Sequence, residues 1–340
     1  MRRIFGSCSI VLAAALALVP SSGSTHHSHA SLNRDDVRLY RGVIARYSWT
    51  MPHVFLKVRG ADLDGNVVQY TIETLNPPAM TIAGWDRNTF KAGDEVIWRG
   101  PHDHNERRHY TGLEWIERVS DGTRYSTNPK ALPDVEPSTD FTGLWKRYPS
   151  SIRHYKPPEG WPLNERGTAM VAAFDENDSP LSRCVNPGPP KAMILPYPTY
   201  ISRPDDEHIV FERELMAEKR VIHLNHEHEI GEPSVNGHSV GHFEGDRLIV
   251  TTTNFVADAW GSHTGIDSSA EKTLREEFWL SDDGLLLHAK ITVTDPVYLS
   301  EPHTFDFAWS KQADRPVVQA PCTMEAAKLH LEAGLEAGER

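Results

Sequence analysis

Short runs in which apolar and polar residues alternate recur along most of the chain, and this period of two predicts β-strands. Five such runs occupy the first third of the chain, at Val37–Trp49, His53–Val58, Val67–Ile72, Glu95–Arg99 and Tyr110–Val119. A short helix is predicted after the third run, with Asn76 as its N-cap and Pro77 in its first turn. The order strand–strand–strand–helix–strand–strand is that of a five-stranded OB-like barrel, over residues 37–120.

Eight further runs in the second half of the chain predict a second β domain, over residues 141–312. These strands are predicted at Thr199–Ser202, His208–Arg213, Arg220–Leu224, Ser239–Phe243, Arg247–Thr252, Thr273–Leu280, Leu285–Thr294 and His303–Trp309. Turn-forming residues at Glu244–Asp246 and Asp282–Gly284 predict tight hairpins. Because no long helices separate the strands, we expect an antiparallel, lipocalin-like β-barrel or a sandwich, in a chain that is mainly β.

The segments outside these two domains have different patterns. Scattered prolines and polar residues mark residues 121–140 as a linker. A helix is predicted at Leu163–Phe174, inside the second domain. An amphipathic helix is predicted at Met324–Leu335, within a C-terminal helical tail, residues 313–340.

The N-terminus has the organisation of a bacterial signal peptide. Arg2 and Arg3 precede an apolar stretch, Ile4–Val19, and small residues follow at Ser21–Ser24. The apolar stretch is shorter than the roughly 20 residues that a membrane-spanning helix needs, which favours a cleaved leader over residues 1–24. We therefore expect a periplasmic or secreted protein whose mature chain has no integral membrane segment.

The composition narrows the set of partners. The formal net charge is −12, and no Lys/Arg tract offsets it. Such a surface repels phosphate backbones, so we expect no nucleic-acid partner. Cys184 and Cys322 remain after the leader, which contains Cys8, is removed. An even pair outside the cytoplasm fits a disulfide, and it also fits two buried thiols.

Several short motifs resemble those of an uncharacterised family of secreted bacterial proteins, whose N-terminal part is a domain of unknown function. The matching segments are His26–Ala30, Met51–Val54, Gly84–Arg87, Gly237–Gly241, Glu244–Val250, Thr252–Phe255 and Asp295–Tyr298. The chain departs from the family pattern at His242, Thr251 and Ser268, where relatives tend to carry Arg, Asp and His. The resemblance implies export and the two-part architecture, and it implies no particular reaction.

Histidine is the strongest local signal for chemistry. His223, His226, His228 and His238 lie in one stretch and are interleaved with glutamates. In an extended segment, His226 and His228 would lie on one face, and a hairpin return would bring His238 beside them. Imidazoles with a carboxylate suit a divalent transition metal such as Zn, Cu, Fe or Ni. The alternative is a polar loop of solvated histidines over a barrel mouth.

The mature N-terminus offers a second metal hypothesis. Cleavage after Ser24 would create a chain that begins Thr25-His26-His27. Its α-amine, two backbone amides and the imidazole of His27 would surround Cu(II) or Ni(II) in the square plane that these ions favour. The alternative is a flexible, solvated leader, as chain termini usually are.

A third interpretation needs no metal. His238 is followed by Glu244 and Asp246, and a histidine paired with a carboxylate is a general acid–base unit. The competing interpretation is that Asp246 only forms the hairpin turn, where Asp is a preferred residue.

Three classes of function therefore stay open. The first is an exported barrel protein that binds a small, partly apolar ligand or a metal ion. The second is an extracytoplasmic enzyme, a hydratase, isomerase or hydrolase that uses a His/carboxylate pair or a His-bound metal. The third is a structural or assembly module. The sequence has no nucleophile elbow, phosphate loop or dinucleotide motif, and this favours binding over catalysis.

Overall fold

The structure, a computed structural model, describes residues 31–128, 135–148, 156–224 and 230–329. Two closed β-barrels, one in each half of the chain, account for most of these residues, so the predicted mainly β fold is confirmed. The predicted leader and the end of the predicted tail lie outside the described residues. In the part of the chain that is described, no helix is long and apolar enough to cross a membrane.

The N-terminal barrel is a ring of five strands with a two-stranded extension. Its elements are β1 (Leu32–Ser48), β2 (Phe55–Ala61), β3 (Val67–Glu73), α1 (Pro77–Ile82), β4 (Glu95–Asp103), β5 (Tyr110–Thr111), β6 (Trp115–Arg118) and β7 (Arg124–Ser126). The ring order is β1-β2-β3-β5-β4, and β4 closes it by pairing with β1. β6 and β7 continue the sheet outside the ring, so part of the segment predicted as a linker belongs to this domain.

Local chemistry explains two features of this barrel. The side chain of Asn76 accepts a hydrogen bond of 3.0 Å from the backbone N–H of Ala79, which caps α1 as predicted. The single strand predicted at Tyr110–Val119 stops after Thr111 and resumes at Trp115, and both parts pair with β4. A Cβ atom on Gly100 would lie 2.1 Å from the carbonyl oxygen of Gly112, so the close approach of the two backbones requires glycine.

The C-terminal barrel is a closed ring of nine strands. Its strands are β8 (Gly143–Tyr148), β9 (Thr199–Ser202), β10 (His208–Arg213), β11 (Lys219–His223), β12 (His238–Glu244), β13 (Arg247–Thr253), β16 (Thr273–Leu280), β17 (Leu286–Thr294) and β18 (His303–Lys311). Around the ring they pair in the order β8-β9-β10-β11-β12-β13-β16-β17-β18. The same half of the chain contains a separate hairpin, β14 (Asp258–His263) and β15 (Ile266–Ser268), and two helices, α2 (Glu165–Ala172) and α3 (Lys191–Ile194). Short 3₁₀ turns lie at Glu176–Asp178 and Pro180–Arg183.

One junction of this barrel differs from the antiparallel pattern. β11 and β12 run parallel and pair only through Ile222 with Ser239 and His223 with Val240, whereas the other neighbours in the ring are antiparallel. The connection between these two strands is long enough for the crossover that a parallel pair requires. We call these four residues the parallel seam.

Side chains fill the interior of the C-terminal barrel. Met193 and Ile194 of α3 pack there against Phe211, Phe278 and Trp309. The indole Nε1 of Trp309 donates a hydrogen bond of 3.1 Å to the carbonyl oxygen of Met193, which holds α3 in place. These side chains form the hydrophobic core of the C-terminal barrel.

The C-terminal segment links the two barrels. Cys322 forms a disulfide with Cys184, with Cα atoms 5.7 Å apart. The backbone N–H of Met51, which follows β1, donates to the carbonyl oxygen of Pro321 at 2.9 Å. Residues 324–329 are helical, and the first turn of this helix forms ion pairs with β1 and β2. The segment thus bridges the barrels by a covalent bond on one side and by polar contacts on the other.

Candidate metal-binding site

Three histidines lie side by side on the outer wall of the C-terminal barrel, at the parallel seam. His223 ends β11, His238 begins β12, and His208 begins the neighbouring β10. Each is next to a buried residue in a strand of alternating burial, so its side chain points away from the interior. We call these three residues the outer-wall histidines. All three lie at an end of their strands, near one rim of the barrel.

The spacing of the outer-wall histidines suits a shared metal ion. The ring centres of His223 and His238 are 5.2 Å apart, and those of His208 and His223 are also 5.2 Å apart. Two imidazoles that bind one tetrahedral zinc ion at about 2.1 Å have ring centres about 5 Å apart. His223 therefore stands at a ligand-like distance from a histidine on each side.

Asp205 orients His208. The Nδ1 atom of His208 lies 2.8 Å from Oδ1 of Asp205. The backbone N–H of Glu207 and the imidazole of His208 both lower the pKa of Asp205, so this acceptor is a carboxylate. A carboxylate on Nδ1 fixes the tautomer and presents Nε2 outward, which is the usual arrangement of a metal-binding histidine. His208 was not among the residues singled out from the sequence. The signal for it was that its predicted strand directly precedes the predicted strand that contains His223, and in the resulting hairpin these two residues pair.

The predicted acid–base unit is not brought together. His238 begins β12, Glu244 ends it, and Asp246 is exposed in the turn that follows. A strand of seven residues at about 3.3 Å per residue places its ends about 20 Å apart. The competing interpretation, that Asp246 forms the turn, agrees with this placement. Glu244 instead accepts from His242, with Oε1 2.9 Å from Nε2, in an exposed pair.

A buried ion pair lies on the inner side of the same wall. Arg220 donates to Oε1 of Glu276 at 2.8 Å and to the hydroxyl oxygens of Ser239 and Thr252 at 3.0 and 2.7 Å. These four residues are at most 2 % exposed. Because Ser239 directly follows His238, the network ties β11 to β12 behind the outer-wall histidines. No sequence motif marked it, and only the folded barrel brings these residues together.

The N-terminal part of the chain matches a known protein family. Residues 14–113 match DUF6152, a family of unknown function. The chain is similar to that family over most of the N-terminal barrel, which agrees with the expected N-terminal domain of unknown function. No curated protein and no solved structure matches the chain. The outer-wall histidines lie beyond the matched residues, so their role must be argued from their geometry.

The other predicted ligands stay predictions. His226 and His228 fall in residues 225–229, and His26 and His27 precede residue 31, so all four lie outside the described residues. Within the described ranges, no set of three or more His, Cys, Asp or Glu side chains is arranged as a complete metal site. Residues 225–229, which carry two further histidines, begin just after β11.

Proposed function

We propose that this protein binds a divalent transition-metal ion at the outer-wall histidines, outside the cytoplasm. The observation that carries the proposal is the ring-centre separation of 5.2 Å between His223 and each of its neighbours, His208 and His238. Neutral imidazole is a ligand for Zn, Cu, Fe and Ni. In the proposed site, His226 and His228 complete the coordination, because their segment joins the two strands that present His223 and His238.

Zinc is the ion proposed first. A set of imidazole ligands on a rigid strand surface suits the tetrahedral geometry of zinc. A zinc titration also distinguishes this site from the N-terminal motif that contains His27, because the square-planar arrangement there favours Cu(II) and Ni(II).

The test is a zinc titration of metal-free protein that carries a single substitution. His238→Gln removes one proposed ligand and should weaken zinc binding by more than about tenfold, and Asp205→Asn, which changes the partner of His208, should weaken it by about 10- to 100-fold. The matched control is His242→Gln, because His242 lies on the same face of β12 and already pairs with Glu244. Isothermal titration calorimetry measures all four proteins under one set of conditions.

The outcomes separate the alternatives. Loss of one zinc equivalent in His238→Gln, with full binding in His242→Gln, supports the proposal. Equal zinc affinity in the wild type and in His238→Gln would show that the outer-wall histidines hold no metal.

Export is part of the proposed function and has its own test. Mature protein recovered from outside the cytoplasm should begin between about Ser22 and His26, the small-residue region that a signal peptidase reads. Intact-mass measurement shows the N-terminus directly. A chain that still begins at Met1 would contradict export through a cleaved leader.

A further inference from the structure

The chain that follows β18 runs from one barrel to the other, and we call residues 312–329 the C-terminal strap. Its first part is fixed on the C-terminal barrel by Glu214, whose side chain is 0 % exposed. Nη2 of Arg315 donates to Oε2 of Glu214 at 2.9 Å, and the backbone N–H of Val318 donates to Oε1 at 2.7 Å. Glu214 directly follows the end of β10, whereas His208 begins that strand, so the strap and the outer-wall histidines lie at opposite ends of it.

The last part of the C-terminal strap lies on the N-terminal barrel. Glu325 accepts hydrogen bonds from Arg46 at 2.9 Å and from Lys57 at 3.0 Å. Arg46 and Glu325 are about half exposed, and ion pairs in contact with solvent contribute little to stability. The buried side chains of this short helix, Ala326 and Ala327, are small and add little apolar area. These contacts therefore give the end of the strap only a weak attachment of its own.

The disulfide fixes the strap at the point where the two barrels meet. Cys322 is bonded to Cys184, which directly follows the 3₁₀ turn Pro180–Arg183 in the C-terminal half. Met51, which follows β1 in the N-terminal barrel, forms a β-bridge with Cys322, and its backbone N–H donates to the carbonyl oxygen of Pro321 at 2.9 Å. The strap is therefore bonded covalently to one barrel at the residue where it contacts the other.

A small apolar cluster at this point contains residues from both barrels and from the strap. Met51, Leu195, Leu215 and Ala320 are each at most 6 % exposed, and Cys322 packs against them. Met51 belongs to the N-terminal barrel, Leu195 and Leu215 to the C-terminal half, and Ala320 to the strap. The apolar contact between the barrels therefore depends on the strap being in place.

The disulfide is open to attack by a thiolate. Cys184 and Cys322 are both partly exposed. A thiolate reduces a disulfide by attacking one of its sulfur atoms, so a partly exposed bond can react in the folded protein. Val185 and Met324, which lie one and two residues from these cysteines, are each 46 % exposed. They add apolar area that a docking reductant would bury.

We infer that the disulfide between Cys184 and Cys322 is a redox-controlled clamp, which couples the two barrels through the C-terminal strap and is opened by the dithiol of a thiol–disulfide oxidoreductase. Two electrons and two protons pass from the dithiol to the bond, so two thiols form on this chain and the reductant becomes a disulfide. Residues 320–329 then leave the N-terminal barrel, whereas Arg315 stays paired with Glu214. The clamp is independent of the proposed metal site, so either can fail without the other.

Hydrogen exchange of the full mature protein, followed by mass spectrometry, tests the clamp. Dithiothreitol is the dithiol probe, and iodoacetamide should then alkylate both Cys184 and Cys322 in the folded protein. Exchange at Met51 and over residues 320–329 should rise at least about 30-fold on reduction, which corresponds to about 2 kcal/mol. The strands β2 and β3 should keep their protection, because the N-terminal barrel lies outside the loop that the disulfide closes.

Two variants keep the test decisive. Cys184→Ser removes the bond without a reductant and should reproduce the exchange of the reduced wild type. Glu325→Gln is the matched control, because it weakens the contacts with Arg46 and Lys57 and leaves the disulfide intact. Its exchange at Met51 should rise less than about fivefold. Absence of alkylation in the folded protein, unchanged exchange at Met51 after reduction, or an equal rise over β2 and β3 would overturn the inference.

Discussion

Glu276→Gln should destabilise the C-terminal barrel, because it removes the only charge that the buried network holds against Arg220. The two side chains are 0 and 1 % exposed, and they meet in two parallel contacts of a guanidinium with a carboxylate. Glutamine has the shape of glutamate but no charge. Arg220 would then stay buried without a counter-charge inside the barrel wall.

The size of the effect follows from this burial. Removal of one partner of a buried ion pair costs about 3–5 kcal/mol. Because glutamine keeps one acceptor oxygen for Arg220, we expect the lower end, about 3 kcal/mol. For a domain of this size, 1 kcal/mol changes Tm by about 2–4 °C, so the barrel should melt roughly 6–12 °C lower.

Replacement of both partners should behave differently from replacement of one. Arg220→Met combined with Glu276→Leu leaves no charge behind, and such replacements are often neutral or stabilising. Ser239 and Thr252 keep a hydrogen bond of 3.0 Å to each other in the double variant. Its stability should therefore lie near that of the wild type.

Urea unfolding followed by circular dichroism measures the free energies, and a neighbouring residue supplies the control. Glu277 is the next residue of β16, points outward and lies 3.7 Å from Arg247. Glu277→Gln should cost less than about 1 kcal/mol, because its partners Arg247 and Arg275 are about half exposed and ion pairs in contact with solvent contribute little. Equal losses in Glu276→Gln and Glu277→Gln, or a double variant as unstable as the single one, would refute the reasoning.

Three further predictions concern other parts of the chain. Reduction of the bond between Cys184 and Cys322 should cost about 2–5 kcal/mol, because it links residues 138 apart; unchanged urea midpoints with and without reductant would contradict this. Burial lowers the pKa of Lys272 from 10.5 to about 8, so the unfolded chain binds this proton more tightly and the stability contributed by Lys272 should rise as pH increases from about 8 towards 10.5. Unfolding of wild type and Lys272→Met across that range measures the rise, and a constant difference would reject it. After cleavage behind Ser24, His27→Ala should weaken Cu(II) binding and leave zinc binding unchanged; equal copper affinities would remove the N-terminal hypothesis.

Alternation of apolar and polar residues located strands where one face is buried and the other is in water. The strands Thr199–Ser202 and Thr273–Leu280 begin and end at the predicted residues. β8, at Gly143–Tyr148, was missed because it buries consecutive residues and therefore has no period of two. Its Arg147 is buried, and the guanidinium donates to the carbonyl oxygen of Ile194 in α3. Sequence alone cannot show such a partner, since it comes from a distant helix.

The candidate site was predictable only in part, for a related reason. The density of histidines pointed to His223 and His238, and the barrel does bring these two together. His208 is contributed by the strand before, so its place depends on the register of the β10–β11 hairpin. The proposed partnership of His238 with Asp246 treated nearness in sequence as nearness in space, whereas the extended β12 separates them. A predicted turn residue such as Asp246 can thus mark where a strand ends. Which side chains meet across the sheet can be determined only once the register of the folded strands is known.

The parallel seam explains why fold and proposed site coincide. Only two residue pairs join β11 to β12 there, so backbone hydrogen bonds contribute less to this junction than to the longer antiparallel ladders of the ring. On the inner side, Arg220 and Ser239 connect the two strands through the buried network. On the outer side, an ion held by His223 and His238 would connect the same strands. An ion that binds only the folded barrel stabilises it by about 2.7 kcal/mol at 100 times its Kd, which is comparable with the loss expected when the ion pair is broken. If the proposed metal binds there, closure of the barrel and metal binding would be coupled by their position on one pair of strands.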